Sequence, residues 1–183
     1  INEAIRTAMQ AHNPDKAINI LLEYFGKTLE GERTYVFEKN EDNCDDNTYE
    51  WVAKGVTPSI NLLQNVPPEV CQNWYNSFEE GNPIVIEDIE NIKDTNYQQY
   101  ETLKMQKINS IVVVPLTHEE KVIGFYGIDN PPIHNIKYVE NMLKITGYFI
   151  VSQIQARNLL RELHDMSYRD QLTKIGNRHA MRK

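Results

Sequence analysis

"SIVVVPLTHEEKVIGFYGIDN", Ser110 to Asn130, is the stretch that decides the fold. An apolar run from Ile111 to Leu116 leads into a polar turn at His118–Lys121, and a second apolar run follows. Two such runs around a short polar turn predict an antiparallel hairpin. The first run is apolar at successive rather than alternate positions. A strand of that kind needs cover on both faces of its sheet.

Upstream, "RTYVFEK", Arg33 to Lys39, alternates Tyr35 and Phe37 against Thr34 and Val36. "NTYEWVAKG", Asn47 to Gly55, alternates Tyr49, Trp51 and Ala53. The polar, acidic connection "EKNEDNCDDN" between them makes a second hairpin the economical reading. Its carboxylates Glu41, Asp42, Asp45 and Asp46 lack the central Gly and terminal Glu of an EF-hand loop, so they read as a solvated hairpin loop. "NPIVIEDIE", Asn82 to Glu90, supplies a further short strand.

Helical periodicity surrounds these strands. Residues 1–12 carry a short amphipathic stretch that reads as the end of an upstream helix. Asn13 is a good N-cap, Pro14 fits the first helical position, and Ile18, Leu21, Leu22, Phe25 and Leu29 form a stripe. Residues 58–81 are expected to be helical, with Val70, Trp74 and Phe78 on one face. A short helix follows over "DTNYQQYETLKMQKI". The predicted class is α+β: an antiparallel sheet of five to six strands, terminal helices on one face, central helices on the other.

The last helix, from about Ile136 to Met166, is longer than one domain requires. Tyr138, Met142, Ile145, Phe149, Ser152, Ala156, Leu159, Leu163 and Met166 fall at alternating spacings of four and three. That is an a/d seam, so a homodimer through the terminal helices is expected. A second stripe, Ile136, Val139, Leu143 and Ile150, fades past Ile154. The first half of the helix should therefore pack on its own sheet, and the second half only on a partner.

The chain has 183 residues, of which 40 % are apolar and 25 % charged, as in ordinary soluble folds. A net charge of −7 repels phosphate backbones and argues against nucleic acid as a partner. The apolar run at Ile111–Leu116 is too short to span a bilayer, so no membrane association is expected of this fragment. Cys44 and Cys71 lack Cys-x-x-Cys spacing and read as reduced thiols in the cytoplasm. The five histidines show no metal-ligand spacing. The chain opens on Ile1, and both ends read as cut from a longer protein.

Two resemblances emerge. "GNPIVIEDIE", Gly81 to Glu90, followed by "INSIVVVPLTHEEKVIGFYGIDN", Ile108 to Asn130, resembles the signature of GAF domains. The helix opening on Asn13-Pro14 and the long exit helix are similar to the same family, over about residues 13–160. After a helical linker at 161–169, "RDQLTKIGNRHA" resembles the opening of GGDEF domains, the diguanylate cyclase module. Asp170, Leu172, Thr173, Asn177 and Arg178 match, Ile175 stands for the usual Leu and Lys174 for a common Gly.

The resemblances imply a regulatory, non-catalytic domain that senses a small molecule, dimerises, and controls a diguanylate cyclase beginning at residues 170–183. The catalytic machinery for joining GTP into cyclic di-GMP lies outside this chain. By resemblance, a ligand cavity lies between the sheet and the central helices. The aromatics expected there are Tyr35, Phe37, Tyr49, Trp51, Trp74, Phe78, Tyr97 and Tyr100. Asp88 and Ser110 stand where the family contacts ligand. The same aromatics equally suit a filled core. No cofactor is implied in this fragment beyond an unknown effector, and the Asn-Lys-x-x-Phe-Asp-Glu pattern of cyclic-nucleotide-binding GAF domains does not occur. Two alternatives stand beside this reading: a ligand-free dimerisation scaffold, and a thiol-dependent reductase.

Overall fold

The strand β4, Ile111–His118, sits in the sheet with Val112, Val114 and Leu116 in one apolar layer and Ile111 and Val113 in the other. Continuous hydrophobicity thus becomes two buried faces. In the computed structural model, which describes residues 2–173, β4 turns directly into β5, Lys121–Asp129. The two turn residues, Glu119 and Glu120, both have positive φ, 48° and 64°. This is the primed turn whose twist matches a hairpin, here without the glycine or asparagine it usually recruits.

The strands β1, Arg33–Lys39, β2, Asp45–Val52, and β3, Ile84–Ile86, complete a five-stranded sheet of order β2-β1-β5-β4-β3. Every neighbouring pair is antiparallel. Gly124 of β5 lies where β1 passes closest: a Cβ there would stand 2.0 Å from the Phe37 carbonyl oxygen.

One face carries α2, Pro14–Thr28, and α5, Ile136–Thr173, with α1, Asn2–Met9, packed on α2. Asn13 caps α2 by accepting the Lys16 amide at 2.9 Å. Ile18, Leu21, Leu22 and Phe25 of α2 and Ile136, Val139, Leu143 and Ile150 of α5 enclose Val36, Val112, Tyr126 and Ile128. The second stripe of the last helix is therefore the one on the sheet, and it ends at Ile154 as the sequence indicates.

The other face carries α3, Pro68–Glu79, α4, Tyr97–Met105, and a 3₁₀ turn at Ile89–Ile92. Its core is aromatic. Phe125 stacks on Phe37 at 4.7 Å and takes the edges of Trp74 and Tyr75 at 5.6 and 6.1 Å.

Two expectations are corrected. Residues 58–67 are not helical. They form an irregular connection along the outer edge of β2: Asp45 and Val66 exchange both backbone bonds at 2.9 Å, and the Asn47 amide donates to the Leu63 carbonyl. The physical reason is Pro67-Pro68. A residue before proline is driven out of the α region, and the freed backbone instead covers a strand edge. The acidic connection also shortens: Asp45 and Asp46 belong to β2, and Asp45 is buried against the Tyr75 hydroxyl. The start of the expected downstream domain, with Asn177 and Arg178, lies outside the described residues, and the backbone of Asp170, Leu172 and Thr173 continues α5.

Candidate functional site

Alternation along β1 turns Arg33, Tyr35 and Phe37 to the face under α3 and α4. Phe125 and Asp129 of β5 and Asn47 and Glu50 of β2 share that face. Above them the helices stop short of full contact. A cavity of about 170 Å³ remains, walled by Cys71 and Trp74 of α3 and by Leu103 of α4. Asn96, Gln99, Thr102 and Gln106 bring amides and a hydroxyl to its lining.

Its floor holds a buried charge cluster. Arg33 donates from Nη1 to Asp129 Oδ2 at 3.1 Å and from Nη2 to the Thr57 carbonyl at 3.0 Å. Arg33 Nε lies 3.3 Å from Glu50 Oε1 but is not aligned for a hydrogen bond. The other Glu50 oxygen accepts the Ser59 and Ile60 amides at 2.9 and 3.1 Å. Asp129 Oδ1 is buried with no hydrogen-bond partner among the described residues. Burial pushes the Asp129 carboxyl up to about 7, against the opposing pull of Arg33 and the neighbouring Tyr35 phenol. Burial and the Asp129 charge together push the Tyr35 phenol well above its ordinary range. Burial also pushes the Cys71 thiol up to about 12.

Of the residues expected at a ligand site, Tyr35, Phe37 and Trp74 line this cavity. The others do not. Tyr49 and Trp51 are corrected outright: they pair with Val36 and Thr34 and lie on the opposite face, Trp51 against Gly26 of α2. Phe78 is buried behind Phe125. Tyr100 is buried and donates to Glu90, whereas Tyr97 is 61 % exposed. Asp88 caps the 3₁₀ turn by accepting the Glu90 amide. Ser110 donates to the Pro131 carbonyl at 3.1 Å and fastens the start of β4. Arg33, Glu50 and Asp129 were missed. Arg33 and Asp129 carried a signal, each being a charged residue in phase with apolar positions of its strand; Glu50 carried none, since it alternates with Tyr49 and Trp51.

On the far face α5 is clamped at Arg157. Its guanidinium forks onto Glu38 of β1, Nη1 to Oε1 at 2.8 Å and Nη2 to Oε2 at 2.6 Å, and also donates to the Tyr49 hydroxyl at 2.8 Å. From Leu159 to Ser167 every side chain is exposed. Leu159, Leu163 and Met166 of the expected seam are 58, 55 and 67 % exposed. Tyr138, Ile145 and Ser152 are also exposed, while Met142, Phe149 and Ala156 are half-buried.

An antiparallel sheet that closes an acid-floored cavity on one face, and clamps a helix running on past the domain on the other, has the plan of a sensory domain of signalling proteins. The GAF domain family model matches residues 13–145, and the chain belongs to that family. Among curated proteins it is similar to the methanogenesis regulatory histidine kinase FilI of Methanothrix harundinacea (strain 6Ac), 31 % identical over 123 residues. That likeness takes in 63 % of this chain but only 13 % of the kinase. Among solved structures it resembles a far-red-absorbing dark state with bound biliverdin IXa, with TM-score 0.72 at 18 % identity, covering 86 % of this chain and 98 % of the other. The R. palustris bacteriophytochrome RpBphP3 gives TM-score 0.72 at 12 % identity, covering 89 % and 37 % of the two chains. The PixJ GAF domain of Thermosynechococcus elongatus gives 0.59 at 15 %, covering 83 % and 93 %. Likeness at these identities speaks for the fold.

Proposed function

We propose that this chain is the ligand-sensing and dimerising part of a cytoplasmic signalling protein, and that it governs a diguanylate cyclase following α5. The observation that carries the sensory part is the shared strand. Phe37 of β1 walls the cavity, and the next residue, Glu38, holds Arg157 of α5 on the opposite face. A ligand that reshapes β1 therefore acts directly on the point where α5 leaves the domain. For that to matter, the ligand must favour one arrangement of α5 over another; tight binding alone shifts nothing. The seam from Tyr138 to Met166, exposed except at the half-buried Met142, Phe149 and Ala156, is the surface on which two copies of α5 would pair. Ser152 and Ala156 give it a weakly packed centre, suited to two registers.

The cyclase part is supported by the match at Asp170, Leu172, Thr173, Asn177 and Arg178. FilI carries a histidine kinase instead, and its likeness is confined to 123 residues. The test is the full-length gene product incubated with GTP and with ATP. Production of cyclic di-GMP is expected. Autophosphorylation from ATP without cyclic di-GMP would overturn the cyclase part and leave the sensory part standing. The sensory part fails if a metabolite mixture neither binds the chain nor shifts its unfolding.

Biliverdin, bound by one structural relative, does not fit this cavity. About 170 Å³ lies below the roughly 300–1,000 Å³ of drug-sized sites, and an open-chain tetrapyrrole is larger still than most such ligands. Open volume beside Trp74 and Phe125 argues against the side-chain-filled scaffold. A thiol-dependent reductase is disfavoured as well: with its pKa near 12, Cys71 is a thiol, not a nucleophilic thiolate, at neutral pH.

A further inference from the structure

The floor of the cavity is short of one positive charge. Arg33 is the single cation among the lining residues, and it lies between two buried carboxylates, Asp129 and Glu50, whose side chains are 3 % and 2 % exposed. With all three ionised, the cluster carries a net charge of −1. Asp129 Oδ2 is held by Arg33, and the Glu50 oxygens by the Ser59 and Ile60 amides and the Arg33 charge, so the surplus falls on Asp129 Oδ1, which accepts no aligned hydrogen bond among the described residues although the Tyr35 phenol lies beside its carboxylate. The remaining charged residue of the lining, Glu69, is exposed on α3 and adds to the negative field. An uncompensated charge buried in this way is strongly disfavoured, so the site favours whatever neutralises it.

We infer that the cavity takes a small organic amine, its ammonium group seated against Asp129 Oδ1 and its carbon body against Phe37, Trp74 and Phe125. The inference rests on the sensory reading of the cavity given above. An ammonium group brings the missing charge and donates to that carboxylate oxygen, the stronger, charge-assisted kind of hydrogen bond. Aromatic walls suit the adjoining carbons and stabilise a cation further. At the other end of the ligand, the amides of Asn96, Gln99 and Gln106 can meet a hydroxyl or carbonyl. Anions are disfavoured by the same field, since no lining cation is left uncompensated. When no amine is bound, a proton does the same work, which is why the Asp129 carboxyl is pushed up to about 7.

The test is titration calorimetry of the chain at neutral pH with three probes of one carbon skeleton: n-butylammonium, n-butanol and n-butyrate. Butylammonium is expected to bind about tenfold or more tighter than the other two, the ratio a charge-assisted hydrogen bond supplies. Asp129→Asn should remove that preference and leave the weak affinity for butanol in place. Because Asp129→Asn also strips Arg33 of a partner and can impair folding, the comparison of the three probes on the unaltered chain stands as a test by itself. Butanol or butyrate binding as well as the cation would overturn the amine assignment while leaving the sensory reading intact. No binding by any probe also overturns it; the sensory reading falls too only if the metabolite mixture is silent.

Discussion

Glu38 and Arg157, 119 residues apart, face each other in parallel: two hydrogen bonds of 2.8 and 2.6 Å join the β1 carboxylate to the α5 guanidinium. The side chains are 13 % and 8 % exposed. Tyr49, whose hydroxyl accepts from Arg157 and donates to Asp15 of α2, ties a third and a fourth element to the same point. Bidentate geometry makes this the strong form of an ion pair.

Arg157→Ala should therefore destabilise the domain by about 1.5–3 kcal/mol, the range for hydrogen bonds to charged groups, because it leaves the half-buried Glu38 with only the Thr48 hydroxyl. The denaturation midpoint in urea measures this. Glu38→Gln combined with Arg157→Leu should recover much of the loss. A single Arg157→Ala variant with unchanged midpoint would show that the fork contributes no stability.

Stability should fall with rising pH through the titration of Asp129. Its folded pKa is raised to about 7 from about 3.9 unfolded. The folded state then holds the proton more tightly, so the contribution is fully present below about pH 4 and is lost as pH rises to about 7. The groups facing Asp129 are Arg33 and Tyr35 of β1 and Glu50 of β2. Relative to Asp129→Asn, the unaltered chain should lose up to about 1.4 kcal/mol per pH unit in that window. Urea titrations of both proteins at several pH values between 4 and 8 give the difference; a gap independent of pH would contradict the shift.

By the same linkage, a cationic probe must displace the Asp129 proton below neutrality. The affinity for n-butylammonium should rise by up to about tenfold per pH unit up to about pH 7 and then level off. A flat profile from pH 5 to 8 would mean that Asp129 is not the group that meets the cation.

Gly26→Ala should destabilise the domain although alanine is the better helix former. A Cβ at that position would stand 2.1 Å from the Trp51 ring. Forcing the indole aside costs about 1–3 kcal/mol, more than the ~1 kcal/mol gained in helix propensity. Thermal unfolding followed by tryptophan fluorescence reads both the loss and the moved ring; a more stable Gly26→Ala protein would mean that the ring yields freely.

The dimer seam is best tested beyond the clamp. Phe149 packs partly on the core of its own domain, so charge there would confuse folding with pairing. Leu159 and Leu163 are exposed past Arg157. Leu159→Asp with Leu163→Asp should turn a dimer into a folded monomer in sedimentation velocity. A variant that stays dimeric, or an unaltered chain that is monomeric, would place the pairing elsewhere or nowhere.

Much of this architecture was written locally. The change of period from 3.6 to 2 after Gly31 separates α2 from β1, the successive apolar positions Ile111–Leu116 demand a sheet covered on both faces, and Asn13-Pro14 marks where α2 starts. Such signals depend on neighbours within a turn or a strand, and they survive without knowledge of the fold. The buried stripe of α5 that ends at Ile154 was legible for the same reason.

Tertiary pairing decided what alternation leaves open. Period 2 shows that Tyr49 and Trp51 share a face, but not which layer lies over it; the register with β1 sets them beside Val36 and Thr34, away from Tyr35 and Phe37. The acidic floor is a product of strand order. Arg33 pairs directly with Asp129 only because β5 docks on β1, and Glu50 joins them only because β2 docks on the other side. Charges distant in the chain acquire a common desolvation cost when the sheet closes over them, and no local pattern in the sequence records that neighbourhood.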